Sequence, residues 1–201
     1  MVARVRCARC LGYDGNSFLD MSLHVKLAFF LGLVSSAFVT VVAVYLVRSG
    51  DLLLLPPKPV FYPQSFASKL EFCARYWVLG VVWLLLSMTQ VMLRRVYGAM
   101  NPLTGTEGIV VKSNNILKNS MEQLFVSITI QVSVITYLTG EEVVRCIPIV
   151  NIMYFAGRVA FWFGYPKYRT FGFCLNFFPT CILTAYALYK FATMHLGWTI
   201  G

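Results

Sequence analysis

The sequence predicts an all-α integral membrane protein: a four-helix transmembrane bundle preceded by one additional N-terminal transmembrane helix. Two observations lead there. Of the 201 residues, 58% are hydrophobic and only 12% charged, with a mean hydropathy of +0.70; ordinary soluble domains carry about twice that share of charge. Residues 27–47 (LAFFLGLVSSAFVTVVAVYLV) and 76–93 (YWVLGVVWLLLSMTQVML) contain no charge at all, over lengths near the roughly 17–25 residues a helix needs to cross a bilayer.

Taken in order, residues 1–26 form a basic tail. Arg4, Arg6 and Arg9 resemble the start of a signal peptide, but the apolar run that follows is too long and begins too late for cleavage, so 27–47 reads as a retained anchor. Residues 48–71 form a Pro-rich linker in which "LLLL" is expected at the membrane interface, and residues 72–196 hold the four-helix core. Its first helix is 76–93. The second, 123–138, reaches spanning length if it begins near Asn115, and the third, 146–165, spans if Arg158 is tolerated inside it. The last, 170–189, contains Pro179, which predicts a kink.

Lys and Arg beside the spans favour a cytoplasmic N-terminus, because Arg4, Arg6, Arg9, Arg94, Arg95, Lys112, Lys118, Lys167 and Arg169 fall on one side and fewer bases on the other. The net charge of +9 therefore reads as attraction to anionic lipid headgroups, not to nucleic acid, since no basic run interleaves with aromatics. Cys73, Cys146, Cys174 and Cys181 lie in or beside apolar spans, where free thiols pack as small hydrophobes. Cys7 and Cys10 make a lone CxxC, half of a zinc site without a second pair; no metal is expected, and acylation is a further reading. His24 and His195 lack sequence partners, and there is no phosphate loop, nucleophile elbow or zincin helix.

The polar residues inside the spans carry the functional reading. If the helix of 123–138 enters the membrane near Asn115, Glu122 lies seven residues in, about 10 Å deep. Arg158 lies seven residues before Tyr165 on the next helix, at the same depth of about 10 Å. An ionised group alone at that level is costly, so Glu122 is expected to meet Arg158. Lys118 and Asn119, four and three residues before Glu122, are expected to converge on it. Asn151, Arg158 and Tyr165 repeat every seven residues as a polar stripe, and Arg169 follows a tight turn where it can lean over the same cleft. Such a cluster serves either as a cationic pocket or as a polar lock between helices.

The order of these features resembles the MAPEG family, the membrane-associated proteins of eicosanoid and glutathione metabolism. The resemblance rests on "RRVYGAMNPLTGTEG", then N-x-x-E as "NSME", then "GRVAFWFGY", then an Arg opening the last helix in "RTFGF". It covers roughly residues 72–195, and the additional N-terminal helix is most similar to the mattrin branch. It implies homotrimers that bind glutathione between protomers near the cytoplasmic face. Lys118, Asn119, Glu122, Arg158 and Tyr165 would then form the cofactor-binding set, and Arg169 would stabilise the thiolate. The sequence departs from the family's enzymes at Asn115, where an Arg is expected, at Lys118, where another basic residue stands in for an Arg fork, and at Phe173, where several members have Tyr.

Two functions follow. One is a non-catalytic protein of the secretory and endolysosomal membranes (endoplasmic reticulum, Golgi or lysosome), acting in membrane traffic or through association with other membrane proteins and using the pocket for structure or lipid binding. The alternative is a microsomal-type glutathione transferase or peroxidase that conjugates glutathione to lipophilic electrophiles. A channel or transporter fits less well, because the helices show no inverted repeat.

Overall fold

A computed structural model describes residues 23–49, 62–97, 110–166 and 168–197. Five helices account for nearly all of them: α1 (Leu23–Ser49), α2 (Phe66–Tyr97), α3 (Val111–Val134), α4 (Gly140–Gly164) and α5 (Thr170–His195). Four of these, α1, α2, α4 and α5, are long and apolar enough to cross a membrane, and the protein is read as an integral membrane protein on that basis. The "LLLL" segment, Cys7 and Cys10, and Lys167 lie outside the described residues.

Helices α1 to α4 begin earlier than the apolar runs do, and at α2 and α4 local capping explains why. At α2 the Ser68 amide donates to Ser65 Oγ at 3.2 Å, and Glu71 and Arg75 pair one turn apart, so polar turns extend the helix below its apolar run. At α4 a capping box does the same: Thr139 N donates to Glu142 Oε2 at 2.7 Å while Glu142 N donates to Thr139 Oγ1, fixing the start at Gly140 instead of Cys146. The turn after α3 is closed from outside, where Lys69 Nζ donates to the Leu138 carbonyl at 2.6 Å and to the carbonyl of the C-cap residue Ile135 at 3.5 Å. Helix α5 runs continuously through Pro179.

Neighbouring helices α2, α3, α4 and α5 alternate in direction. Trp77 meets Gln131 and Trp83 meets Ser120 across α2 and α3; Asn151 meets Gln131 and Arg158 meets Asn119 across α3 and α4. A core of Cys73, Val134, Ile135, Val143, Ile147, Val150 and Leu183 fills the end where α3 passes into α4. Among the described residues the cysteines are free thiols, with Cys73 and Cys174 buried.

Helix α1 lies outside this bundle, against α5 and marginally α4. It buries Gly32, Ser36 and Thr40, spaced four residues apart, the small-residue spacing that lets membrane helices approach closely. Their hydroxyls cost little to bury, since Ser36 Oγ donates to Leu33 O at 2.9 Å and Thr40 Oγ1 to Ser36 O at 2.8 Å. The other faces of α1 expose Phe30, Phe38, Val41 and Tyr45, a surface suited to lipid.

The tightest approach in the bundle is between α4 and α5. A Cβ at Gly172 would stand 2.2 Å from Phe161 N and 2.5 Å from Gly157 O, and one at Gly157 would stand 2.9 Å from Gly172 O. These obstacles are backbone and cannot rotate away. At Gly80 the obstacle is the Leu124 Cδ1 atom at 2.4 Å, the far end of a flexible side chain. Gly172→Ala is therefore expected to destabilise the protein by about 3 kcal/mol and Gly80→Ala by about 1 kcal/mol or less, measured as thermal unfolding in a neutral detergent; equal effects would mean that α4 and α5 do not pack this closely.

Candidate functional site

Arg158 is the largest fully buried side chain in the structure, and its placement follows from the glycine contact just described. With α4 and α5 drawn together, the Gly172 carbonyl reaches Arg158 Nη2 at 3.2 Å. Helix α3 supplies the remaining acceptors: Arg158 Nη1 donates to Asn119 Oδ1 at 2.8 Å and Nη2 to Gln123 Oε1 at 2.6 Å. Gln123 Oε1 also accepts from Asn176 Nδ2 at 2.8 Å, which ties α5 to the same point. The guanidinium carbon sits 5.0 Å from the Phe161 ring centre and 5.7 Å from that of Tyr154, within range of cation–π attraction.

Glu122 is not part of this arrangement. It is exposed on the outer face of α3 and makes no ion pair among the described residues, so the expected Glu122–Arg158 pair is replaced by neutral amide and carbonyl acceptors. The cause is rotational: consecutive residues on a helix point about 100° apart, and the face of α3 that meets α4 carries Asn119 and Gln123, with Glu122 turned away. Lys118 is likewise exposed. It lines a shallow outer depression of about 430 Å³ together with Asn115 and Glu122. The anticipated convergence of Lys118, Asn119 and Glu122 thus divides, with Asn119 inside and the two charges outside. Gln123, which sequence reasoning passed over, is the amide that joins three helices. Its signal was its spacing, four residues from Asn119 and therefore on the same face.

The polar stripe on α4 does face α3, at three levels. Asn151 Nδ2 donates to Gln131 Oε1 at 2.9 Å, Arg158 meets Asn119 and Gln123, and the Tyr165 hydroxyl accepts from Asn115 Nδ2 at 3.1 Å. Between the first two levels Tyr154 donates to the Ser120 carbonyl at 2.9 Å, and Trp83 Nε1 donates to Ser120 Oγ at 3.1 Å. Many polar groups of a helix too hydrophilic to count among the spanning four find partners inside the bundle in this way, although Ser113 Oγ and Gln123 Nε2 are buried without one.

Arg169 stands apart from the buried network. It is exposed at the start of α5, with its guanidinium 5.7 Å from the Tyr165 ring centre. It borders a cavity of about 420 Å³ that Asn119 and Phe161 also line, otherwise walled largely by phenylalanines of α5 and by α1. Phe173 stacks on Phe177 at 5.6 Å and 24° beside it, offering no hydrogen-bond donor. Chemically, the inner cluster can hold helices together, and the outer Arg169 can hold an anion. The chain matches no family profile, no characterised protein and no solved structure.

Removing the Gln123 amide strands Asn176 Nδ2 and leaves Arg158 Nη2 with the Gly172 carbonyl alone, whereas neutralising Glu122 disturbs no bond. Gln123→Leu is expected to cost about 3 kcal/mol, while Glu122→Gln should stay within about 0.5 kcal/mol; thermal unfolding of both variants in detergent checks this, and a large loss in Glu122→Gln alone would restore the carboxylate as the partner of Arg158.

Proposed function

We propose that the chain is a MAPEG-like multi-pass protein of the secretory and endolysosomal membranes that acts without catalysis, in membrane traffic or through association with other membrane proteins. One observation carries the non-catalytic reading: the buried guanidinium of Arg158 is engaged by Asn119, Gln123 and Gly172 of its own chain. Glutathione presents two carboxylates, an ammonium and a thiol. A site for it requires cations free to meet those carboxylates and donors around the sulfur. Here both Arg158 Nη atoms are occupied, leaving only a buried Nε without a partner, Tyr165 is bonded to Asn115, and the residue beside Arg169 is Phe173. The compartment and the role in traffic are supported by the resemblance to the mattrin branch.

The outward face of α3 supports association between chains. A carboxylate and an ammonium exposed on a helix packed among spanning helices are costly against lipid, so the face bearing Asn115, Lys118 and Glu122 is best covered by protein, in keeping with the homotrimer that the resemblance implies. The same face favours the second reading. If a neighbouring protomer supplies the missing cations, the depression between copies can receive glutathione, with Glu122 on its ammonium and Arg169 near its thiolate.

Calorimetric titration of glutathione into the detergent-purified protein separates the two. We expect no saturable heat at millimolar glutathione for the wild type, with Glu122→Gln and Arg169→Ala indistinguishable from it. Saturable binding that both substitutions weaken, in variants that remain folded, would overturn the non-catalytic reading in favour of a glutathione-dependent transferase.

A further inference from the structure

We infer that the groove between α1 and α5 is a binding site for an anionic phospholipid, with the phosphate on Arg169 and one acyl chain among the phenylalanines beneath it. Three observations converge. The cavity measures about 420 Å³, within the roughly 300–1,000 Å³ range of ligand sites and suited to one acyl chain while the headgroup stays outside. Its walls are Phe29 and Leu33 of α1 and Phe173, Phe177 and Phe178 of α5, and among the described lining residues Arg169 alone is charged. Finally, Phe29 and Phe177 are 40% and 45% exposed, so the apolar wall is open at the flank of the bundle, where lipid lies.

The charge complementarity fixes the sign of the head. Arg169 is exposed beside the cavity, its guanidinium 5.7 Å from the Tyr165 ring centre, and it makes no ion pair with a carboxylate among the described residues. Helix α5 starts there with no side-chain cap and no acidic residue in its first turn, which adds to the positive field. A guanidinium with unengaged donors binds phosphate in a fork geometry, and basic positions at the ends of spanning helices are where anionic headgroups collect. A zwitterionic head gains less, because its ammonium meets no anion. A free anion would lack the apolar contacts, and glutathione would leave the phenylalanine walls bare. The groove requires α1, since Phe29 and Leu33 of its lining come from that helix, so the site belongs to this chain's five-helix arrangement; with the glutathione reading it shares only Arg169 and Asn119.

The test is photo-crosslinking in nanodiscs of phosphatidylcholine, doped with either phosphatidic acid or phosphatidylcholine carrying a diazirine in one acyl chain. The expected result is labelling of peptides containing Phe29–Leu33 and Phe173–Phe178 that is about fivefold to tenfold stronger for the phosphatidic acid probe. Arg169→Gln should reduce it to the phosphatidylcholine level, and Arg169→Lys should recover part of it. Leu33→Trp, which fills the cavity, should suppress labelling by both probes at these peptides. Glycerol phosphate added in excess should not compete. Equal labelling by the two probes, labelling spread evenly over the outer faces of all helices, or loss of the signal to glycerol phosphate would each overturn the site. Because Arg169 is exposed, its variants are expected to unfold at the wild-type temperature, so lost labelling with an unchanged midpoint reads as lost binding.

Discussion

A guanidinium buried in the bundle without a carboxylate is the constraint on which the surrounding packing depends. Moving an ion out of water costs several kcal/mol even after relaxation (about that scale per ion), and Arg158 recovers it from acceptors that carry no net charge. Each acceptor is held by a different requirement. Gly172 O is near enough only because residues 157 and 172 lack side chains. Asn119 and Gln123 face α4 only in one rotation of α3, and Asn176 then has Gln123 to bond to. Helix spacing, helix rotation and amide placement must agree at one point. Charge-neutral partners also leave the site cationic overall, which disfavours further cations nearby and leaves room for the carboxylate of Glu122 to serve elsewhere.

The same logic explains how α3 is accommodated. Its polar residues would make an isolated span unfavourable, yet Asn119, Ser120, Gln123 and Gln131 all bond to neighbours. Hydrogen bonds between membrane helices are individually modest, about 0.6 kcal/mol on average in measured cases. Their larger effect is on register. Sliding α3 by one turn against α4 would leave amides and the guanidinium unmatched in an apolar medium, a penalty far steeper than the gain from making any one bond. Specificity of packing is the property this ladder supplies.

Much of the fold was legible because bilayer crossing imposes a length and a composition, and the charge-free runs in α1 and α2 meet both. Helix ends were less so, since Ser65 and the Thr139–Glu142 box extend helices through polar turns that a hydropathy criterion discards. At the site, the expectation set Glu122 level with Arg158, and the residues that Arg158 bonds are Asn119 and Gln123, three before and one after Glu122. The partner was not legible, because opposite charge pointed to Glu122, while rotation about the helix axis selects Gln123. Both lie on the general side of Asn119, at separations of three and four residues, and only the position of α4 decides between them. The small-residue spacing of Gly32, Ser36 and Thr40 in α1 is a feature the sequence reading passed over, and it does not by itself name α5 as the surface it packs on.

That docking changes what the outer face of α5 can be. Without α1, the phenylalanines of α5 would be an ordinary lipid-facing surface, in continuous exchange with the bilayer. With Gly32 seated 3.0 Å (as a Cβ) from the Phe171 amide, the backbones are close at the Arg169 end, and the bulkier Phe29 and Leu33 hold the flanking space open as a groove. A cavity between two helices restricts the motion of whatever enters it, which converts general solvation by lipid into a defined contact. Arg169, the one charged residue among its described lining, stands where the proposed phosphate would sit. Helix α1 contributes little to the buried polar network, so its principal structural consequence is this groove, and a change in α1 can alter the outer surface of the protein while leaving the Arg158 lock intact.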